Sequence, residues 1–234
     1  MKTAVRFVLV RPEYPSNIGA SARALKTMGF RDLWLVRPRR FPHPEATRLA
    51  TEAADVLDEA RVAETLDEAL ADCALTIATS GRQRGADWPL VNVAEAGALA
   101  ARAGGPVAVV FGPEPSGLTN DELYRCRYQA TIDTSDDCSS LNLAQAVQIF
   151  AYELRRSLVD RHPASSQDEP ATDAMLEHLY AGLEATVERS GFARYEPRHL
   201  LLRFRRALNR ADLTAREASM FTGLFAKIAE RLRP

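Results

Sequence analysis

Up to about residue 158 the chain alternates between two patterns of apolar and polar positions. Short apolar runs rich in β-branched residues have the length of buried strands: "AVRFVLV" (4–10), "DLWLVRP" (32–38), "CALTIATS" (73–80), "VAVVFG" (107–112) and "YQATID" (128–133). Between them lie Ala/Leu/Glu-rich segments of helical period, such as "TLDEALADC" (65–73) and "NVAEAGALAARAG" (92–104). This alternation predicts an α/β fold, a mostly parallel sheet covered by helices on both faces. In "VRPEYPSNIGASARALKTMGF", Pro12 and Pro15 keep the first half out of a helix, and a helix is predicted from Ser16 or Asn17. The last element of the unit is "LNLAQAVQIFAYELRRSL". Its Leu143, Val147, Phe150, Leu154 and Leu158 form an apolar helical stripe, a core face.

The pattern then changes. "DRHPASSQDEPATD" (160–173) has two prolines, serines, acids and little to bury, and reads as a linker. Two amphipathic helices follow, at 174–192 and 213–232, separated by an Arg-rich segment. The predicted division is a domain at 1–159, a linker at 160–173 and a helical extension at 174–234.

Composition narrows the class. Apolar residues make up 46%, enough for a real core. No apolar run is long enough for a membrane span. "AVRFVLV" is too short and strand-like for a signal peptide, so a cytoplasmic protein is expected. Cys73, Cys126 and Cys138 lack CxxC spacing, and His43, His162, His178 and His199 are scattered. Neither a disulfide framework nor a metal site is indicated.

Net charge is −1, but the distribution is uneven. Residues 1–40 carry nine Lys/Arg against two acids, and 45–72 reverse this with nine acids against two arginines. "RYEPRHLLLRFRRALNR" (194–210) holds six arginines and one Glu. Two separated basic segments form either a nucleic-acid footprint or ordinary solvated faces.

In an α/β sheet the ligand crevice lies at the carboxyl ends of the strands. No GxGxxG follows the first strand, and neither GxxxxGK[ST] nor GxSxG occurs, which disfavours a dehydrogenase, a P-loop NTPase and a serine hydrolase. Three other strand-end loops are distinctive. In "PSNIGASAR", Asn17 is expected to cap the helix, and Gly19 shares a face with Arg23. The missing side chain would let a phosphate approach backbone and guanidinium together; alternatively this is a capped helix with a surface Arg. In "VFGPEPSGLTNDEL", Gly112 ends a strand, Glu114 follows, and Gly117 closes a tight turn before a helix capped by Thr119 or Asn120. In "DCSSLNLAQAV", Ser139, Ser140 and Asn142 cluster at a helix N-terminus, more polar side chains than one cap needs.

Taken in order, NxGxxxR (17–23), FGxExxGL (111–118) and SSLNLAxAV (139–147) resemble the three motifs of the SpoU class of SPOUT RNA 2′-O-ribose methyltransferases. "ALKTMGF", "TSGRQR..DWP", "GLTNDELYRCRY" and "LRFRRALNRA" extend the likeness to a tRNA-acting branch of that class. The resemblance implies a SPOUT-type parallel sheet with a C-terminal trefoil knot, an obligate homodimer, and S-adenosylmethionine as methyl donor. It implies methylation of C or U at nucleotide 32 of the tRNA anticodon loop. Carried over by position, Thr79, Ser80, Gly81, Gly112, Ile132, Ser139, Ser140 and Leu141 would bind the cofactor. Arg23, Asn17, Glu114, Ser140 and Asn142 would form the catalytic group. Arg11, Arg23, Lys26, Arg203, Arg205 and Arg206 would contact RNA, and no metal is implied. Ala144 and Pro113 stand where some members have Ser and Arg. Methylation of ribosomal RNA, a catalytically silent knotted RNA-binding protein, and a methyltransferase for a small molecule or protein are the alternatives.

Overall fold

A computed structural model describes residues 4–81, 88–135, 137, 140–159, 169–192 and 197–232. Among these, seven strands form one sheet: β1 (Val5–Val10), β2 (Asp32–Val36), β3 (Arg61–Ala63), β4 (Leu75–Thr79), β5 (Leu90–Asn92), β6 (Val107–Phe111) and β7 (Tyr128–Thr131). Their order is β3-β2-β1-β6-β4-β7-β5, and every pair is parallel. All five strands expected from the apolar runs are present. β3 and β5 are additional, and at three residues each they are too short to display a period.

Parallel strands need crossovers. These are made by α1 (Pro15–Thr27), α2 (Pro44–Ala50), a 3-10 turn (Thr51–Ala53), α3 (Ala54–Asp58), α4 (Leu66–Leu70), α5 (Val93–Arg102) and α6 (Asn120–Arg125). α7 (Leu143–Val159) follows the sheet. Alternate side chains of each central strand enter different cores, as the pleat requires. Val5, Phe7 and Leu9 of β1 pack with Leu25, Val147, Phe150 and Leu154, whereas Val8 and Val10 pack with Leu70, Leu123 and Cys126. The expected α7 stripe is buried from Leu143 to Leu154, with Leu158 partly covered.

The start of α1 differs from expectation. Pro15 is its first helical residue, because the missing N–H costs nothing there and the fixed φ already suits a helix. Asn17 is therefore inside the first turn and does not cap it; Tyr14 holds the cap position and supplies no side-chain cap. The space expected above Gly19 for a phosphate is also filled. Gly19 is buried against α2, where an added Cβ would overlap the Ala46 carbonyl. Gly19 thus sets how closely α1 and α2 approach.

The extension consists of α8 (Asp173–Ser190), α9 (Pro197–Arg210) and α10 (Ala215–Arg231). From Pro197 onward its Arg-rich segment is the helix α9. Leu176, Leu179, Tyr180, Leu213 and Ala218 form an apolar cluster separate from the two around the sheet. Of the stretch read as linker, residues 160–168 lie outside the described residues. The rest is packed: Ala171 and Asp173 are buried, and Pro170 bridges to Thr214. The Asp173 and Ala174 N–H groups donate to the carbonyls of Cys73 and Ala71 at 2.6 and 3.0 Å, seating the start of α8 on the sheet domain.

Gly19→Ala should lower the free energy of unfolding by roughly 1–3 kcal/mol, the usual range for overpacking. Urea titration followed by circular dichroism measures this. An unchanged midpoint would mean that α2 yields freely and that the contact sets nothing.

Candidate active site

The carboxyl ends of β4, β6 and β7 lie side by side, and the loops leaving them enclose a cavity of about 430 Å3. Thr79, Ser80, Gly81, Gly112, Ile132, Ser140 and Leu141 all line it. Ser139 lies outside the described residues. Phe111, Leu143, Ala146 and Phe150 supply an apolar wall. Glu114 is the one ionisable residue in the described lining. With no Lys or Arg among them, these residues suit a ligand with an apolar body and a positive charge better than a polyphosphate.

The turn after β6 has a fixed shape. The Gly117 N–H donates to the Pro113 carbonyl at 2.8 Å, and Gly117 has φ +66°. A Cβ on Gly112 would overlap the Leu118 nitrogen and the Gly117 carbonyl carbon. Glycine is therefore required at 112 by the turn folding back on itself. Pro113, one of the departures noted above, is buried beneath this turn and lines the cavity.

Three residues from three loops join at its rim. Glu114 accepts hydrogen bonds from the Glu13 N–H (2.9 Å), the Tyr14 N–H (3.3 Å) and Asn17 Nδ2 (2.8 Å). Asn142 Nδ2 donates to Asn17 Oδ1 at 3.0 Å, while its own Oδ1 accepts the Ala144 N–H at 2.9 Å and caps α7. Glu114 thus ties the two residues leading into α1, and Asn17 of its first turn, to the turn after β6. It satisfies amides at the helix entry, where the helix dipole also favours negative charge. Ser140 and Asn142 are exposed, and Ser140 faces the cavity.

Arg23 is exposed on α1, and its guanidinium makes no hydrogen bond or ion pair among the described residues. It opens onto a depression shared with Lys26, Thr27, Thr51, Glu52 and Ala53, and it does not line the cavity. The other basic residues expected to touch RNA differ in setting. Arg11 pairs with Glu122, Lys26 with Asp55, and Arg205 with Glu177. Arg205 also lies 4.4 Å over the Tyr180 ring, and burial beside Arg125 pulls its pKa down to about 10. It is an internal residue of the extension. Arg203 is exposed, whereas Arg206 is half-buried.

Two functional partners escaped the sequence reading. Glu122 is the third residue of α6 and forms a capping box with Thr119, a signal present as T-x-x-E. Burial pushes its carboxyl up, but hydrogen bonds from Arg11 and from the Thr119 N–H outweigh this and hold it below its ordinary value. Arg125 pairs with Asp173 across 48 residues of sequence, for which no local signal exists.

Residues 4–152 match the family model described as the SpoU rRNA Methylase family. A "tRNA (cytidine/uridine-2'-O-)-methyltransferase TrmJ" from Salmonella typhimurium (strain LT2) is 41% identical over 236 residues, covering 97% of this chain and 97% of the relative. The crystal structure of TrmJ from Z. mobilis ZM4 superposes with a TM-score of 0.84 at 34% identity, covering 97% of this chain and 99% of that one. The SpoU methyltransferase AviRb from Streptomyces viridochromogenes, in complex with AdoMet, shares the fold. Its TM-score is 0.56 at 20% identity, over 68% of this chain and 62% of that one.

The Glu122 carboxylate has a sign that can be tested. Its folded pKa is depressed, so its stabilisation is complete above the unfolded value of about 4.5 and is lost as pH falls through the folded value. Melting temperatures of the wild type and Glu122→Gln should therefore differ at pH 7 and converge as pH drops below about 4.5. A gap independent of pH would mean that the Arg11 pair contributes nothing through charge.

Proposed function

Since this chain belongs to the SpoU rRNA methylase family, we propose that it transfers a methyl group from S-adenosylmethionine to a ribose 2′-hydroxyl of tRNA, at nucleotide 32 of the anticodon loop. The observation that carries this reading is the hydrogen-bonded chain Asn142–Asn17–Glu114 at the rim of the cavity. It brings the three motifs together beside a pocket whose described lining bears one acid and no cation. Identity to TrmJ over 97% of the chain supports tRNA as the acceptor.

Thr79, Ser80, Gly81, Gly112, Ile132, Ser140 and Leu141 would hold the donor: hydroxyls and loop backbone for its polar groups, the Phe111–Phe150 wall for its ring. When bound, the donor supplies a methyl group on a sulfonium, which a nucleophilic oxygen displaces in line. The chain's own task is to orient that oxygen and its phosphate. Three donors already occupy Glu114, which makes it a positioning residue for α1 and Asn17 more than a proton acceptor. Arg23 has the free, exposed guanidinium suited to an RNA phosphate beside the depression on α1. A guanidinium offers only N–H donors, so its role is to grip the phosphate and to stabilise charge developing on the acceptor oxygen.

The trefoil knot, the homodimer and a cytoplasmic location belong to the same proposal. The order β6-β4-β7-β5, which sets the three loops side by side, supports the knot. That α1 presents Arg23 to solvent, outside its own chain's cavity, supports a site completed by a second copy. The division into a sheet domain and a helical extension is supported by the separate apolar cluster of the extension, which already includes Ala171 within the stretch 160–173 read as linker.

The deciding experiment is methylation of unmodified tRNA by the purified protein with S-adenosylmethionine, located by digestion and mass spectrometry. A 2′-O-methyl at nucleotide 32 is expected, with Arg23→Ala slower by on the order of a hundredfold or more. Product on ribosomal RNA alone would keep the chemistry and discard the substrate. No product on either would favour a silent binder or a non-RNA acceptor. In the extension, Arg203→Ala should weaken tRNA binding and flatten its log–log salt slope by about one. Arg205→Ala should instead lower the melting temperature, and a pure binding defect there would contradict its internal placement.

A further inference from the structure

The helix α6 is six residues long, yet charge holds it at both ends. At its start, Arg11 from the end of β1 donates both terminal guanidinium nitrogens to Glu122, the capping-box residue. Immediately before Thr119 comes the turn 112–118 that lines the cavity. At its other end, Arg125 donates two parallel hydrogen bonds, at 2.9 and 2.6 Å, to Asp173, the first residue of α8. The Asp173 side chain is 3% exposed and that of Arg125 13%. Arg125 also pairs with Asp67, and with Glu177 at 3.1 Å; Glu177 in turn receives Arg205.

A two-point guanidinium–carboxylate contact fixes orientation as well as distance. Away from water it cannot be loosened by solvent exchange, and removing one partner leaves an uncompensated buried charge. The seat of the extension is thus rigidly joined to α6, and α6 to the cavity turn. A second set of contacts joins the extension to the sheet without involving α6. Arg127 donates to the Ala74 carbonyl at 2.8 Å and to the Asn209 carbonyl at 3.2 Å, and it pairs with Asp212.

We propose that Arg125 and Asp173 are positioning residues for the methyl-donor pocket: their buried pair seats the extension on α6, and α6, held at its far end by Arg11 and Glu122, sets the turn 112–118. This rests on reading the cavity as the donor pocket and extends it to residues that do not line it. A change in how the extension sits, for instance when tRNA engages α9, reaches the donor through α6.

Hydrogen exchange of the full chain, without ligand, tests the coupling directly. Amides of residues 112–119 should exchange several-fold faster in Asp173→Asn and in Arg125→Lys than in the wild type. In Asp212→Asn, which loosens the extension at the other contact, they should keep the wild-type rate. Calorimetry with S-adenosylmethionine should show a several-fold weaker Kd for the first two variants alone. Unchanged exchange at 112–119, or equal acceleration in all three variants, would overturn the proposal. If Asp173→Asn does not fold, Arg125→Lys, together with Glu122→Gln at the far end of the strut, decides it in the same way. A wild type that binds no S-adenosylmethionine would refute the functional reading, while the exchange rates would still decide the coupling.

Discussion

The architecture of the site depends on the Glu114 carboxylate. It stands at the entrance of a helix that begins about one hundred residues earlier and accepts two main-chain amides and one side-chain amide there. The Tyr14 carbonyl takes the first-turn amides of Asn17 and Ile18, while the amides just ahead of them, on Glu13 and Tyr14, go to Glu114. By holding the approach to α1, Glu114 fixes the turn after β6 relative to that helix and aligns Asn17, which in turn fixes Asn142 and the start of α7. Loops far apart in sequence therefore share one hydrogen-bonded seam. The cavity behind it is a by-product of that seam and of three adjacent parallel strands.

Much of this was legible in the residues. The apolar runs gave the five longer strands, and the Leu143–Leu154 spacing gave the buried face of α7. The cofactor positions carried over from the family likeness fall around one cavity wherever they are described. Local chemistry was less reliable where two elements meet. Asn17 looked like a cap because Pro15 was read as lying outside the helix, whereas it is the first helical residue and Tyr14 takes the cap position. Gly19 looked like room for a ligand because a glycine does not reveal what fills the space it leaves; here it is the backbone of α2. β3 and β5 left no trace, since their strand character comes from their neighbours' ladders.

The charge map has a similar explanation. The basic segment 1–40 and the acidic segment 45–72 largely face each other. Arg6 joins Asp32 and Asp72, Lys26 and Arg31 join Asp55, Arg31 also joins Glu59, and Arg37 joins Glu64. What looked like a footprint is in large part internal complementarity. Among the described residues of the two basic segments, this leaves Arg23 and Arg40, and Arg203 and Arg210 on the extension, as exposed cations without an ion pair. The extension shows the same division of labour. Its helices cohere through apolar packing, but it meets the sheet domain through main-chain hydrogen bonds and through guanidinium and carboxylate groups.

The remote anchor of α1 has a consequence in time. A chain made from its amino end exposes Tyr14 long before Glu114 exists, and at about 5–20 residues per second the hundred residues between them take on the order of 5–20 seconds. Throughout that interval the amides of Glu13 and Tyr14 have water for a partner, and the Asn17 side chain has neither of its own. The segment bearing Asn17 and Arg23 therefore takes its final shape only after the turn following β6 has left the ribosome.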